Sequence, residues 1–259
     1  MALKLSTKLR NQMLNGEDLR RIFEDAVIKI YSGSAPATAD LAPTGTLLAT
    51  ISKASGTVSA GEVSTPQETK ILIGSFAAGE TFTFIDDSIS YTYTNTPTLG
   101  SAILVAAAFA AVLDAQDPNI SAFASGTATI YIQAKYKGVA HTWSSAGTGT
   151  QNGSTGAHAC ADTVANVLAD TIRWGVAVDG VISKESATWS GLAVATGTAG
   201  YFRMETSSDT DVDDTSNKIF ARLQGSVGVS GTEMILSNTT ITTGATQTID
   251  TATITLPAS

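Results

Sequence analysis

Charge is scarce in this sequence. Only 15% of its 259 residues are Asp, Glu, Lys or Arg, against roughly 25% in an ordinary soluble chain. The balance is acidic, with 23 Asp and Glu against 15 Lys and Arg and a net charge of -8. Affinity for nucleic acid comes largely from Lys and Arg displacing counterions from phosphates, so direct nucleic-acid contact is not expected. Lys4, Lys8, Arg10, Arg20, Arg21 and Lys29 lie near the N-terminus but alternate with Glu17, Asp18, Glu24 and Asp25. That is a mixed-charge helical face rather than a basic arm. Cysteine is nearly absent. The single Cys160 excludes an intramolecular disulfide and suits synthesis in a reducing cytoplasm. Long apolar runs are also missing. Met1-Ala2-Leu3-Lys4-Leu5 turns polar without the apolar core of a signal peptide. The apolar stretch from Ala102 to Leu113 is shorter than the ~20 residues a bilayer-spanning helix needs. No membrane partner is expected.

Small residues take the place of charge. Gly, Ala, Ser and Thr lose little side-chain entropy on ordering and suit closely spaced strands or surfaces covered by other protein, but they offer few groups for chemistry. Near the N-terminus, Ser6 or Thr7 caps a short helix carrying Leu9, Met13 and Leu14, which Asn15-Gly16 interrupts. Leu19, Ile22, Phe23 and Ala26 form the apolar stripe of a second helix. Strands follow at Val27–Tyr31 and Leu47–Ser52, and Ser55–Gln67 reads as a low-complexity link.

A new pattern starts at Ile71. Strands are predicted at Ile71–Phe76, Thr81–Ile85 and Ser88–Thr94, then a helix at Leu99–Ala115 capped by Thr98, with Val105, Phe109 and Val112 on one face. Further strands are predicted at Ile120–Ala124 and Thr127–Lys135, followed by a flexible loop at Thr148–Gly156 and a helix at Asp162–Ala169. The remainder reads as six strands at Thr171–Val178, Ile182–Trp189, Gly200–Thr206, Lys218–Leu223, Met234–Ile241 and Thr246–Leu256. The expected fold is mainly β with a few helices. A split β-sandwich or jelly-roll-like host domain (residues 1–65 plus 159–259, with the N-terminal helices) is interrupted by an inserted α+β module at 66–158, since insertions succeed at exposed loop tips.

The candidates for chemistry are few. His158 and Cys160 lie two apart, but tetrahedral zinc needs more ligands and His141 has no cysteine nearby. A Cys-His nucleophile would need activating partners, so Cys160 reads as a plain thiol. Asp209, Asp211, Asp213 and Asp214 form the densest acidic group. An EF-hand beginning at Asp209 would require Gly at position 214 and Glu at position 220, where the chain has Asp214 and Phe220. A solvated acidic turn is the expected reading, with a loose calcium site as the alternative. Gly147–Gly156 lacks the Lys-Ser/Thr of a phosphate-binding loop. Asp86 and Asp87 form a carboxylate pair, but neighbours on a strand point to opposite faces, so turn chemistry explains them better. Trp143, Trp174, Trp189, Tyr91, Tyr93, Tyr131 and Tyr136 fit a core, with a sugar- or partner-binding face as the alternative. The expectation is no catalytic residue, no cofactor and no metal.

Two outer stretches carry a resemblance. They are Val27-Ile28-Lys29-Ile30-Tyr31-Ser32-Gly33-Ser34-Ala35-Pro36 with Thr44-Gly45-Thr46-Leu47-Leu48, and Trp189-Ser190-Gly191 with Ala195-Thr196-Gly197-Thr198-Ala199-Gly200-Tyr201-Phe202-Arg203. Gly225-Ser226-Val227-Gly228 and Leu236-Ser237-Asn238-Thr239-Thr240-Ile241 continue the second. Together they resemble a family of uncharacterised structural proteins of tailed-bacteriophage virions. The middle of the chain, with Gly79-Glu80-Thr81-Phe82, an Ala-rich helix and Lys137-Gly138, looks like the small β/α inserts of phage tail and fibre proteins. The resemblance implies a virion location after synthesis in the bacterial host cytoplasm. The implied role is non-enzymatic: a homo-oligomer in the tail or neck that binds copies of itself and other virion proteins. Capsid decoration or a head fibre is one alternative, and a carbohydrate-binding host-adsorption module another.

Overall fold

The computed structural model describes residues 3–59, 64–96, 99–137, 139–156, 158–165 and 169–255. The protein is mainly β, with 40% strand and 11% helix; its sheets are antiparallel apart from one short parallel pairing, and the described residues form no closed barrel. The chain divides into two compact units, residues 1–63 with 169–259, and residues 64–168.

The first unit begins with a two-residue strand, β1 (Lys4–Leu5), and helix α1 (Thr7–Leu14). Ser6 is the cap of α1, its Oγ accepting the Leu9 N–H at 3.2 Å. The expected second helix is only the four-residue α2 (Leu19–Ile22), capped by Asp18. Ala26 belongs instead to β2 (Ala26–Ser32), which pairs with β3 (Leu47–Lys53).

The second unit contains β4 (Glu68–Leu72), β5 (Thr81–Asp86), β6 (Ile89–Thr94), α3 (Ala102–Gln116), β7 (Ile120–Ala124), β8 (Thr129–Ala134), β9 (Trp143–Gly147), β10 (His158–Ala159) and β11 (Asp162–Val164). Two four-stranded sheets result, in the orders β10-β9-β5-β6 and β11-β4-β8-β7. Ser101 caps α3, and the expected cap Thr98 lies outside the described residues. The helix buries Val105, Ala106, Phe109, Ala110 and Leu113 among Phe82, Phe84, Ile71, Ile130 and Ile132. Each such large side chain stabilises the unit by about 1.5–3 kcal/mol relative to exposure.

Two expectations change here. The helix at Asp162–Ala169 is not formed at its start, because Asp162 and Val164 pair with Thr69 and Glu68 as β11; residues 166–168 lie outside the described residues. The strand predicted from Ile71 begins earlier, at Glu68. Since β10 and β11 belong to the second unit's sheets, that unit extends past the junction expected at residue 158.

The chain then returns to the first unit with β12 (Val181–Ser183), β13 (Trp189–Leu192), β14 (Gly197–Thr206), β15 (Arg222–Gly228), β16 (Met234–Ile235), β17 (Thr240–Ile241), β18 (Thr246–Ile249) and β19 (Thr253–Thr255). Thr171–Val178 forms isolated bridges rather than a strand. The strand expected at Lys218–Leu223 starts only at Arg222. The main sheet runs β1-β15-β14-β2-β3-β13-β18, with β16 on β15 and β17 on β14, while β12 and β19 form a separate ribbon. Its apolar face carries Ile28, Ile30, Met204 and Leu223, which join Trp174 and Trp189 in one core. The two indoles meet edge to face with centroids 5.1 Å apart.

Two glycines let the backbones close up. A Cβ at Gly191 would lie 1.9 Å from the Thr50 carbonyl oxygen, and one at Gly200 would lie 1.8 Å from that of Gly33. Gly200 sits at the β-bulge between Ala199 and Tyr201, where an extra residue in β14 shifts the pairing with β2.

Candidate functional site

Strand alternation gives the main sheet of the first unit a second face that is polar yet covered. Lys29, Arg203 and Gln224 are aligned across β2, β14 and β15, with Glu205 and Arg222 paired beside them. Arg203, Glu205, Arg222 and Gln224 are each fully buried. Buried charge is costly unless paired and hydrogen-bonded, and the loops supply the partners. Arg222 donates through Nε to Asp209 Oδ2 at 2.6 Å and through Nη2 to Asp209 Oδ1 at 2.7 Å. Its Nη1 reaches the Asp40 carbonyl at 3.1 Å, and Nη2 also reaches that of Val212 at 2.9 Å. Arg203 donates to the Leu41 carbonyl and to Gln224 Oε1. Two arginines thus tie the segments around residues 39–41 and 209–212 to the sheet.

The Lys29 ammonium lies 2.5 Å from Glu205 Oε1 and also pairs with Asp211 Oδ2. Burial opposes its charge, but Glu205 and Asp211 outweigh that and raise its pKa. Burial dominates at Glu205, pushing its carboxyl up to about 8 against the pull of Lys29. Tyr31 donates to Asp211 Oδ1 at 3.1 Å and stacks on Tyr201 with centroids 5.0 Å apart.

The acidic run is therefore only in part a solvated turn, with Asp213 exposed and Asp211 half-buried. Asp209 and Asp214 are buried. Asp214 accepts the backbone N–H groups of Ile219 and Phe220, Asp213 accepts that of Thr215, and Asp209 accepts that of Asp211. Glu205, Asp209 and Asp211 do bring oxygens within 4.8 Å of one another, as a cation site would. Lys29 and Arg222 already bring positive charge to Glu205 Oε1, Asp211 and Asp209, so the group reads as a compensated structural network.

A different cluster lies in the second unit, at the β5–β6 turn. Asp86 ends β5 and is buried. Asp87 follows with φ +46°, a left-handed conformation that breaks strand alternation. The two carboxylates consequently converge: His141 Nδ1 lies 2.8 Å from Asp86 Oδ1 and 3.3 Å from Asp87 Oδ2. Trp143 Nε1 donates to Asp86 Oδ1 at 2.9 Å, and the imidazole stacks on that indole with centroids 5.5 Å apart.

Gln67 clamps the backbone of His141, its Oε1 accepting the N–H at 2.7 Å and its Nε2 donating to the carbonyl at 2.9 Å. Asp117 is buried at the end of α3 and faces Asp86 and Tyr91. Burial, followed by the negative charge of Asp86, raises its pKa despite the Asn119 N–H that it accepts. The hydrogen bond from His141 to Asp86 raises the pKa of the imidazole, outweighing burial.

The other candidates separate from this cluster. Cys160 is buried, and burial raises its thiol pKa, the opposite of nucleophile activation. His158 lies in β10, paired with Ser145. The loop expected to be flexible, Thr148–Gly156, is anchored, since Gln151 is fully buried within it. Trp143, Trp174, Trp189 and Tyr91 are buried, whereas Tyr93 and Tyr136 are half-buried. Tyr131 is exposed and stacks on the still more exposed Phe123, with centroids 5.3 Å apart and planes 13° apart. Lys70, Tyr131 and Phe123 are aligned across β4, β8 and β7. No protein-family model matches the chain, and no curated protein matches it.

Proposed function

We propose that the protein is a non-enzymatic structural subunit of a tailed-phage particle, a tail or neck component that assembles with copies of itself and with neighbouring virion proteins. The observation that carries the assembly role is the chemistry of the sheet edges. Strands β6, β7 and β18 end their sheets, and their sequences ISYTYT, ISAFA and TQTI contain no charged residue and no proline. Soluble proteins usually guard such edges with Lys, Pro or a bulge, because an open row of N–H and C=O groups templates further pairing. An assembling subunit has use for unguarded ones.

The virion assignment rests on the sequence resemblance. Its segments touch β2, β3, β13, β14, β15 and β17, strands of one sheet. Within this proposal the first unit is a sandwich- or jelly-roll-like host, since the apolar side of its main sheet requires an opposing layer. Sedimentation and light scattering of the purified protein test the assembly role. The native chain forms a discrete oligomer, and Ile89→Lys in β6 or Thr248→Lys in β18 shifts it toward smaller species. A chain that stays monomeric at all concentrations overturns the proposal.

The Phe123–Tyr131 pair supports a second reading, binding of carbohydrate, because sugar rings stack on flat exposed aromatics. Specific glycan-array binding that Phe123→Ala abolishes would favour it. Capsid decoration or a head fibre differs in location rather than chemistry, and electron microscopy of intact particles separates a ring on the tail axis from a copy on each capsomer.

A further inference from the structure

We propose that Asp86, Asp87 and His141, with Asp117 beside Asp86, form a binding site for a divalent metal ion of the Zn2+ type. The first argument is spacing. One donor atom each from Asp86, Asp87 and His141 falls within 4.8 Å of the others, and Nδ1 of His141 is 2.8 Å and 3.3 Å from the two carboxylate oxygens. A tetrahedral Zn2+ with bonds of 2.0–2.1 Å places its ligand atoms about 3.3 Å apart, as His141 and Asp87 already are, while the Asp86–His141 hydrogen bond would open by about 0.5 Å to admit it. The mixed nitrogen and oxygen set favours zinc over calcium, which takes oxygen ligands.

The second argument is independent of that trio. Asp117 is 1% exposed and its Oδ2 lacks a close hydrogen-bond partner, while its carboxyl group lies beside Asp86 and the Tyr91 hydroxyl. Two carboxyl groups facing each other in the interior need a proton or a cation between them. Asp117 Oδ1 is already engaged by the Asn119 N–H at 2.9 Å, which leaves Oδ2 as the oxygen with no close partner. Asp87 is arranged similarly: its Oδ1 accepts the Thr142 N–H at 2.6 Å, and Oδ2 is the atom nearest His141.

The surroundings are those of a supported site rather than a loose acidic patch. Trp143 orients the Asp86 carboxylate, and Gln67, itself buried, holds the His141 backbone on both sides while donating to Asp162 at 2.8 Å. Such outer partners orient the ligands and tune affinity. A bound ion would join the β5–β6 turn, the end of α3 and the segment before β9, stapling three separate parts of the second unit.

The site is independent of the assembly proposal, and the test reads it separately. The tag-free chain is stripped with chelator and titrated with ZnCl2 or CaCl2 by calorimetry, while melting temperature and tryptophan fluorescence are followed. The expected result is one Zn2+ per chain, a higher melting temperature and no comparable response to Ca2+. Asp87→Asn keeps the acceptor for Thr142 and should weaken Zn2+ binding roughly tenfold or more. His141→Asn should weaken it further, with circular dichroism confirming that both variants fold. No binding to the native chain overturns the proposal and leaves a shared proton between Asp86 and Asp117. Binding lost in Cys160→Ser but retained in Asp87→Asn also overturns it.

Discussion

Replacing Arg222 by Met tests whether the covered polar face holds the first unit together. Met keeps much of the side-chain length but removes the guanidinium, leaving the Asp209 carboxylate, whose side chain is 0% exposed, without its bidentate partner. Breaking a buried ion pair from one side costs about 3–5 kcal/mol, because a desolvated charge is left behind. The Asp40 carbonyl also loses a charged donor at 3.1 Å, adding about 1 kcal/mol or more. Val212 is exposed, so water can replace its lost bond.

The expected loss is therefore about 5 kcal/mol, at the low end of the roughly 5–15 kcal/mol that holds a domain folded. Urea unfolding followed by tryptophan fluorescence in a Trp143→Phe background reports on Trp174 and Trp189 of the first unit. Combining Arg222→Met with Asp209→Leu removes both charges and should recover much of the loss. A cost below about 1 kcal/mol for Arg222→Met, or a double variant no more stable than the single one, would refute the reasoning.

The same network predicts a pH response. Glu205 has an ordinary value of 4.5 and is pushed up to about 8. Between those values the folded chain keeps a proton that the unfolded chain has released. This contribution to stability is full below pH 4.5 and is lost as pH rises through about 8. Between those two values, melting temperatures of the native chain should fall with pH more steeply than those of Glu205→Gln, and equal slopes would count against a raised carboxyl. In β13, Gly191→Ala should cost about 1–3 kcal/mol through its clash with the Thr50 carbonyl. Gly126→Ala, which meets no atom within 4 Å, should be nearly neutral in the same chemical unfolding measurement.

Much of the fold was legible where the signal is local. Ser6 before Leu9 announced α1, and the apolar alternation of β2, β5 and β8 was readable because one side of each strand packs into a core. Reading failed where pairing across the chain decides. Val164, Val167 and Leu168 have helical spacing, yet Glu68 and Thr69 recruit the start of that segment into a sheet. In β15, Arg222 and Gln224 look like surface residues although they face inward, because their partners come from distant loops.

The Asp86–His141 cluster was hidden for a related reason. Alternation predicts opposite faces for Asp86 and Asp87, but the left-handed backbone at Asp87 turns its carboxylate back, and His141 arrives from another segment. The Asp-Asp turn was itself a usable signal, since Asp tolerates positive φ. The exposure of Tyr131 beside Phe123 depended on sheet register, which residue type alone does not specify.

The split sheet also sets an order for biosynthesis. Strand β2 pairs with β3 on one side and β14 on the other, while β1 pairs with β15. On the ribosome, Ile28, Ile30, Leu48 and Ile51 emerge long before Met204 and Leu223, with which they form a core. The second unit is encoded between them and can complete its local pairings during that wait. The nascent N-terminal hairpin must meanwhile remain uncommitted, making the interval before residue 228 emerges the period when premature strand pairing between neighbouring nascent chains competes with folding.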